Sequence, residues 1–217
     1  MPITAAIWDL DGTLCNTADD LCESFNKAAA IHGYPPRDVA TFVSFVGSGA
    51  RNLVKRSLPD GVSDDICATV YDDYMRIYSE NLTTRTLPYD GIFEVLKAFA
   101  AKGIRMSVMS NKPDAHTKII AAELFSGISF ELVYGNMEGR PHKPDPEVPL
   151  EVAAAMGADP ASTAFIGDSD VDMKTAVNAG MIPVGCSWGF RPGDVVKAAG
   201  AKYLFDRPIE LMQLLDI

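Results

Sequence analysis

The segment Ile7-Trp8-Asp9-Leu10-Asp11-Gly12-Thr13-Leu14 places two carboxylates one residue apart, where an apolar stretch runs into glycine. Like charges this close repel, and in an apolar site one of them tends to hold a proton. The pattern makes chemical sense if a cation sits between the acids, or if one stays ionised while the other is protonated. Three further clusters invite the same question: Ser110-Asn111-Lys112, His142-Lys143-Pro144-Asp145-Pro146 and Gly167-Asp168-Ser169-Asp170-Val171-Asp172. In chain order the four supply two acids, a small polar pair, a lysine and three more acids. Such a set can move a phosphoryl group. A carboxylate attacks phosphorus, a cation offsets the repulsion between the two anions, and lysine with backbone N–H groups steadies the phosphoryl oxygens.

These side chains need elements to hold them. Residues 4–9 read as a short buried strand between Pro2 and Gly12. Leu21, Phe25, Ala28 and Ala29 then recur at helical spacing, with Thr17 as a cap and Gly33 and Pro35-Pro36 as the stop. Residues 45–58 read as a Gly/Ser turn opening a helix. Residues 63–82 read as a long helix with Ser63 at its N-cap and acids in its first turn. Residues 15–85 are therefore expected to be all-helical, with no strand to pair with, and to form an inserted cap. Beyond residue 86, strands at 104–110, 130–135, 162–169, 181–186 and 201–205 alternate with helices at 91–102, 113–125, 147–157 and 171–179, and a helix closes the chain over 208–217. Alternation of this kind predicts an α/β fold: a Rossmann-like, mostly parallel sheet core of residues 1–14 and 86–217, with helices on both faces and the α-helical cap domain, 15–85, inserted. Ligands of such sheets bind beyond the carboxyl ends of the strands. All four clusters fall there.

Composition narrows the function classes. The chain has 217 residues, 47% hydrophobic and 22% charged, which is a soluble globular balance. No apolar run approaches the roughly 20 residues of a membrane span, and the first residues lack a basic segment followed by an apolar one, so a cytoplasmic protein is expected. The net charge of −10, without any basic run, argues against nucleic acid as a partner. An anionic substrate would need local positive charge to overcome that field. Cys15, Cys22, Cys67 and Cys186 show no CxxC spacing and read as reduced thiols, Cys15 as a small residue at a domain junction. His116 and His142 read as surface or helix-start residues without a catalytic role, and Tyr71, Tyr74 and Tyr78 as packing within the cap, with the alternative that one of them faces substrate. Asp170 reads as a helix-start acid. Arg51 is either an ordinary helix residue or one that projects from the cap toward a substrate carboxylate.

The motifs DLDGTL, SNK, KPDP and GDSDVD resemble, in order and separation, the four motifs of the haloacid dehalogenase superfamily, and the resemblance covers the whole chain. Residues 87–112 and 167–190 are similar to the phosphoglycolate phosphatase group within it. The resemblance implies that Asp9 is the nucleophile, forming an aspartyl-phosphate, and that Asp11 is the general acid and then the base. It implies that Ser110 and Lys143 hold the phosphoryl oxygens. Mg²⁺ would be bound by the Asp9 carboxylate, the Asp11 backbone carbonyl and the Asp168 carboxylate. Gly12 suits a tight turn that brings N–H groups to the phosphate, Thr13 is expected to orient Asp11, and Asn111 to contact substrate or phosphate. Ser169 and Asp172 would fix the metal site from behind. An oxygen-rich ligand set without a His or Cys cluster favours Mg²⁺ over zinc.

The function implied is a Mg²⁺-dependent phosphatase acting on a small phosphorylated metabolite, 2-phosphoglycolate first. A sugar-phosphate phosphatase or mutase and a nucleotide or pyrophosphate hydrolase keep the same motifs and stay open. Asp11 argues against dehalogenase chemistry, which lacks that second acid. A phosphorylatable or inactive binding module is the non-enzyme alternative; the presence of Asp9, Asp11 and Lys143 together argues against it.

Overall fold

Residues 5–8 are fully buried, as a strand flanked on both sides within a sheet must be. In the computed structural model, which describes residues 2–216, they form β1 (Ala5–Trp8). There follow β2 (Cys15–Asn16), α1 (Ala18–Ile31), α2 (Val39–Val43), α3 (Ala50–Ser57), α4 (Asp64–Ser79) and β3 (Leu87–Pro88). Then come α5 (Ile92–Ala101), β4 (Arg105–Pro113), α6 (Asp114–Leu124), β5 (Val133–Asn136), α7 (Glu147–Ala155) and β6 (Thr163–Gly167). The chain closes with α8 (Asp170–Asn178), β7 (Ile182–Cys186), α9 (Gly193–Ala198), β8 (Tyr203–Phe205) and a 3-10 helix, Pro208–Asp216. Six strands form one sheet in the order β5-β4-β1-β6-β7-β8, and every neighbouring pair is parallel. This is the α/β architecture expected from the alternation.

Side chains leave β1 alternately to the two faces. Ala5 and Ile7 join Met109, Phe165, Val152 and Ala176 in one apolar cluster, against α7 and α8. Ala6 and Trp8 join the other, where Trp8 meets Phe99 of α5 edge-on at 5.4 Å between ring centroids. That second cluster continues without a break into the helical block, through Phe25, Phe42, Tyr74 and Tyr78. Ser63 caps α4 as expected, accepting from Ile66 N at 3.4 Å. Thr17 does not cap α1 with its side chain; Asn16 Oδ1 accepts from Ala18 N instead. Among the described residues no helix is long and apolar enough to cross a membrane.

The helical block differs from expectation at its edges. Cys15–Asn16 is a strand after all, pairing antiparallel with Leu87–Pro88, so both chain crossings run through one small ribbon. A two-residue ladder has no periodicity to read, and its partner lies far along the chain. Asp20, in the first turn of α1, fastens the same junction: its carboxylate accepts from Arg85 N, Thr86 N and Thr86 Oγ1 at 2.8–3.0 Å. The helices α2 and α9, five and six residues long, are too short for a helical stripe to declare itself. The closing segment is a 3-10 helix rather than an α-helix; residue 217, the end of the expected helix, lies outside the described residues.

Candidate active site

β1 sits between β4 and β6, so its carboxyl end faces theirs across the point where the strand order reverses. Asp9 follows β1 directly and is anchored by its N–H to Ile166 O of β6, at 2.9 Å. Gly12 turns the chain with φ +83°, and a Cβ there would stand 2.2 Å from Asp168 Oδ2, so only glycine allows this approach. Asp168 follows β6. Its Oδ1 accepts from Thr13 Oγ1 at 3.3 Å and its Oδ2 from Phe190 N at 2.6 Å. Ser169 and Asp172 form a capping box at the start of α8, with Asp172 Oδ2 accepting from Ser169 N and Oγ. Lys143 reaches in from the loop before α7. Its Nζ lies 2.8 Å from Asp9 Oδ1 and 2.7 Å from Asp172 Oδ1.

These groups are buried, and the charges do not balance. Asp9, Asp168 and Asp172 bring carboxylate oxygens within 4.8 Å of one another. Fully ionised, the three carboxylates exceed the Lys143 ammonium by two negative charges. Burial, opposed by Lys143 and reinforced by Asp172, pushes the Asp9 carboxyl up to about 7. Burial, then Asp172 and Asp9, also push Asp168 well above the ordinary carboxylate range. For Lys143, burial opposes the charge but Asp172 and Asp9 outweigh it and hold the ammonium above the usual lysine range. Asp9 Oδ1 makes its ion contact with Lys143 yet has no aligned hydrogen bond among the described residues.

A divalent cation fits this arrangement in charge and in chemistry. The donors are all oxygen, as Mg²⁺ requires, and among the described residues no His or Cys joins the cluster. Asp172 is the most committed of the three, with Lys143 on one oxygen and Ser169 on the other. Asp9 and Asp168 keep more free lone pairs.

The model of the haloacid dehalogenase-like hydrolase family matches residues 6–185. The chain belongs to that family. It is 32% identical over its whole length to the N-acetylmuramic acid 6-phosphate phosphatase of Pseudomonas aeruginosa, covering 96% of that protein. It is 33% identical to the phosphoglycolate phosphatase of Thiobacillus denitrificans over 89% of this chain and 87% of that one. A predicted phosphoglycolate phosphatase from Haemophilus somnus has a crystal structure that superposes with a TM-score of 0.91 at 25% identity, over 98% of this chain and 97% of that one.

Within this haloacid dehalogenase-like framework, several sequence expectations change. Thr13 donates to Asp168, not Asp11. Asn111 is a strap: its amide nitrogen donates to Gly47 O and Lys143 O, at 2.8 and 3.0 Å, and its Oδ1 accepts from Lys143 N at 2.9 Å. Ser110 lines a chamber enclosed between these strand ends and the helical block, and accepts from Lys112 N. Asp170 is a helix-start acid paired with Lys174, as expected. Arg51 is not brought to the chamber: it is exposed and lies over the Tyr71 ring at 4.2 Å. The chamber's arginine is Arg191, after β7, whose guanidinium donates to Val43 O and Val46 O. Cys15 is fully buried, and burial pushes its thiol up, as suits an inert junction residue.

Four chamber residues do more in the structure than their leading sequence reading gave them. Lys112 Nζ donates to both oxygens of Asp11, at 2.8 and 2.9 Å, with both side chains buried. Tyr74 and Tyr78 line the chamber as well as packing the helical block. His116 is not a surface residue: it is buried in the chamber wall, its Nε2 2.8 Å from Ser79 Oγ, while His142 is exposed as expected. The helix-start position of His116 was legible, but not the α4 helix that covers it.

Burial, then the Lys112 charge, lower the His116 pKa to about 4 from its ordinary 6.5. Its neutral form is favoured in the fold, so the stability it contributes is present above pH 6.5 and lost as pH falls toward 4. The difference in urea midpoint between pH 7 and pH 4.5 is expected to shrink in His116→Asn relative to the wild type. An equal drop in both proteins would remove His116 from the acid response.

Proposed function

We propose that this chain is a phosphoric monoester hydrolase, a Mg²⁺-dependent phosphatase that cleaves 2-phosphoglycolate or a similarly small phosphomonoester through an aspartyl-phosphate on Asp9. The observation that carries the reading is the buried cluster of three acids against a single lysine beyond the ends of β1 and β6. In this reading an Asp9 oxygen attacks phosphorus while Ser110, Lys143 and the turn N–H groups around Gly12 and Thr13 hold the phosphoryl oxygens. Asp11 gives a proton to the departing ester oxygen, then takes one from the water that hydrolyses the acyl-phosphate. Mg²⁺, held by Asp9, Asp168 and the Asp11 carbonyl, would supply the positive charge that lets two anions meet. Residues 15–85 act as a cap over a core of 1–14 and 86–217, excluding water during transfer and reopening for release at the β2–β3 ribbon.

A second reading has a specific observation behind it: the full-length relative is a phosphatase for N-acetylmuramic acid 6-phosphate. Both candidate substrates carry a carboxylate on the leaving-group side. Initial-rate kcat/KM values across phosphoglycolate, N-acetylmuramic acid 6-phosphate, hexose phosphates, nucleotides and pyrophosphate test the assignment. One of the two carboxylate-bearing esters is expected to lead, and a nucleotide or pyrophosphate in first place would defeat it.

The metal is tested separately. EDTA is expected to remove activity and Mg²⁺ to restore it. Asp168→Ala is expected to raise the half-saturating Mg²⁺ concentration by about tenfold or more, since one anionic ligand is gone. An unchanged titration curve would exclude Asp168 as a ligand.

A further inference from the structure

We infer that Lys112 is the residue that reads an anionic group on the leaving-group side of the substrate, and that in doing so it uncovers Asp11. The inference rests on the phosphatase reading above and deepens it by assigning the substrate class to one side chain.

Three cationic side chains line the chamber, Lys112, Lys143 and Arg191. Lys143 is committed to Asp9 and Asp172, and Arg191 to the carbonyls of Val43 and Val46. Lys112 is committed to Asp11, whose two oxygens both accept from its Nζ. An Asp11 paired with an ammonium through both oxygens is held as the ionised carboxylate, so acting as the acid toward an ester requires the ammonium to find another anion. Lys112 is buried, and no water can stand in for that anion at low cost.

The surroundings are suited to a carboxylate from the substrate. Lys112 Nζ lies 4.8 Å from the Tyr78 ring, on the side where the helical block closes the chamber. Tyr78 Oη and His116 Nδ1 are both buried and without a partner among the described residues. A buried hydroxyl donor left unpaired is costly unless an acceptor arrives. A small carboxylate on the leaving group supplies that acceptor and the counter-ion together. Phosphomonoesters without an anion on the leaving group leave Lys112 on Asp11 and are poor substrates for this physical reason, not for lack of space.

The test compares 2-phosphoglycolate with its neutral isostere 2-phosphoglycolamide, in the wild type and in Lys112→Met and Lys112→Arg, at saturating Mg²⁺. The wild type is expected to favour the carboxylate by at least about 30-fold in kcat/KM, Lys112→Met to bring the ratio near one, and Lys112→Arg to keep part of it. A purely structural lysine would lower both substrates alike and leave the ratio within threefold of wild type, which would overturn the inference. Calorimetric titration of both esters into Asp9→Asn protein, with and without the added Lys112→Met change, reads recognition without turnover. Loss of carboxylate preference on adding Lys112→Met supports the inference, and retention overturns it. A wild type that hydrolyses neither ester would sink the phosphoglycolate reading, while this binding arm would still decide the role of Lys112. Should Lys112→Met fail to fold, Lys112→Gln, which keeps a donor but no charge, is expected to lose the same preference, and its retention would overturn the inference.

Discussion

Asp9→Asn is expected to abolish turnover, by on the order of 10⁴-fold or more, because an amide cannot form the acyl-phosphate and no neighbouring group can replace it. The fold is expected to survive, and the reason lies in the electrostatics. Burial, opposed by Lys143 and reinforced by Asp172, raises the Asp9 carboxyl to about 7 from 3.8. An acid whose folded pKa is raised withdraws stability as pH climbs through that interval, and the loss is complete above about 7. Removing the carboxylate removes this cost. Lys143 keeps Asp172 at 2.7 Å as a partner. In EDTA at pH 8 the variant is therefore expected to melt at or above the wild-type temperature while showing no burst of alcohol release. Retained steady-state activity in purified Asp9→Asn would falsify the nucleophile assignment. A large drop in melting temperature would instead show that the charge excess is not the strain described here.

Lys143→Ala is expected to carry the largest stability effect. The lysine is buried between Asp9 and Asp172, and Asp172 is itself fully buried. Removing one partner of a buried ionic cluster leaves uncompensated charge and costs about 3–5 kcal/mol. Turnover is expected to fall by about 10²–10³-fold as well, through loss of a donor to the phosphoryl oxygens. Mg²⁺ should restore part of the stability, because it supplies positive charge to the same three carboxylates. Urea unfolding of wild type and variant, with Mg²⁺ and with EDTA, separates the effects. A loss under about 1 kcal/mol in EDTA would mean that water reaches these carboxylates and the cluster is not dry.

Some of this was written in the chain order alone. Asp9, Ser110 and Asp168 are legible because each ends a short apolar run, and parallel strands deliver their carboxyl ends to one edge of the sheet whatever the helices between them do. Ser63 as a cap and Asp170 as a helix-start acid are local in the same sense: each partner lies within four residues. The excess of acid over base at those ends likewise follows from the residue types.

What the tertiary structure decided is which partner each polar group takes. Lys112 follows Ser110 and Asn111 in sequence, yet its partner is Asp11, in the turn after β1. Asn111, which lines the chamber, also serves as a strap because the Lys143 loop and the 43–49 turn both close on it. Arg51 and Arg191 could each have been the chamber's arginine on composition. The direction α3 takes after Gly49 sends the first to Tyr71, and the loop after β7 brings the second inward. His116 became a buried group only because α4 lies across it. Periodicity and capping report forces acting within a few residues of chain. The match of a cation to one of several acids is settled by distances between elements, and those distances exist only once the sheet and the helical block have packed together.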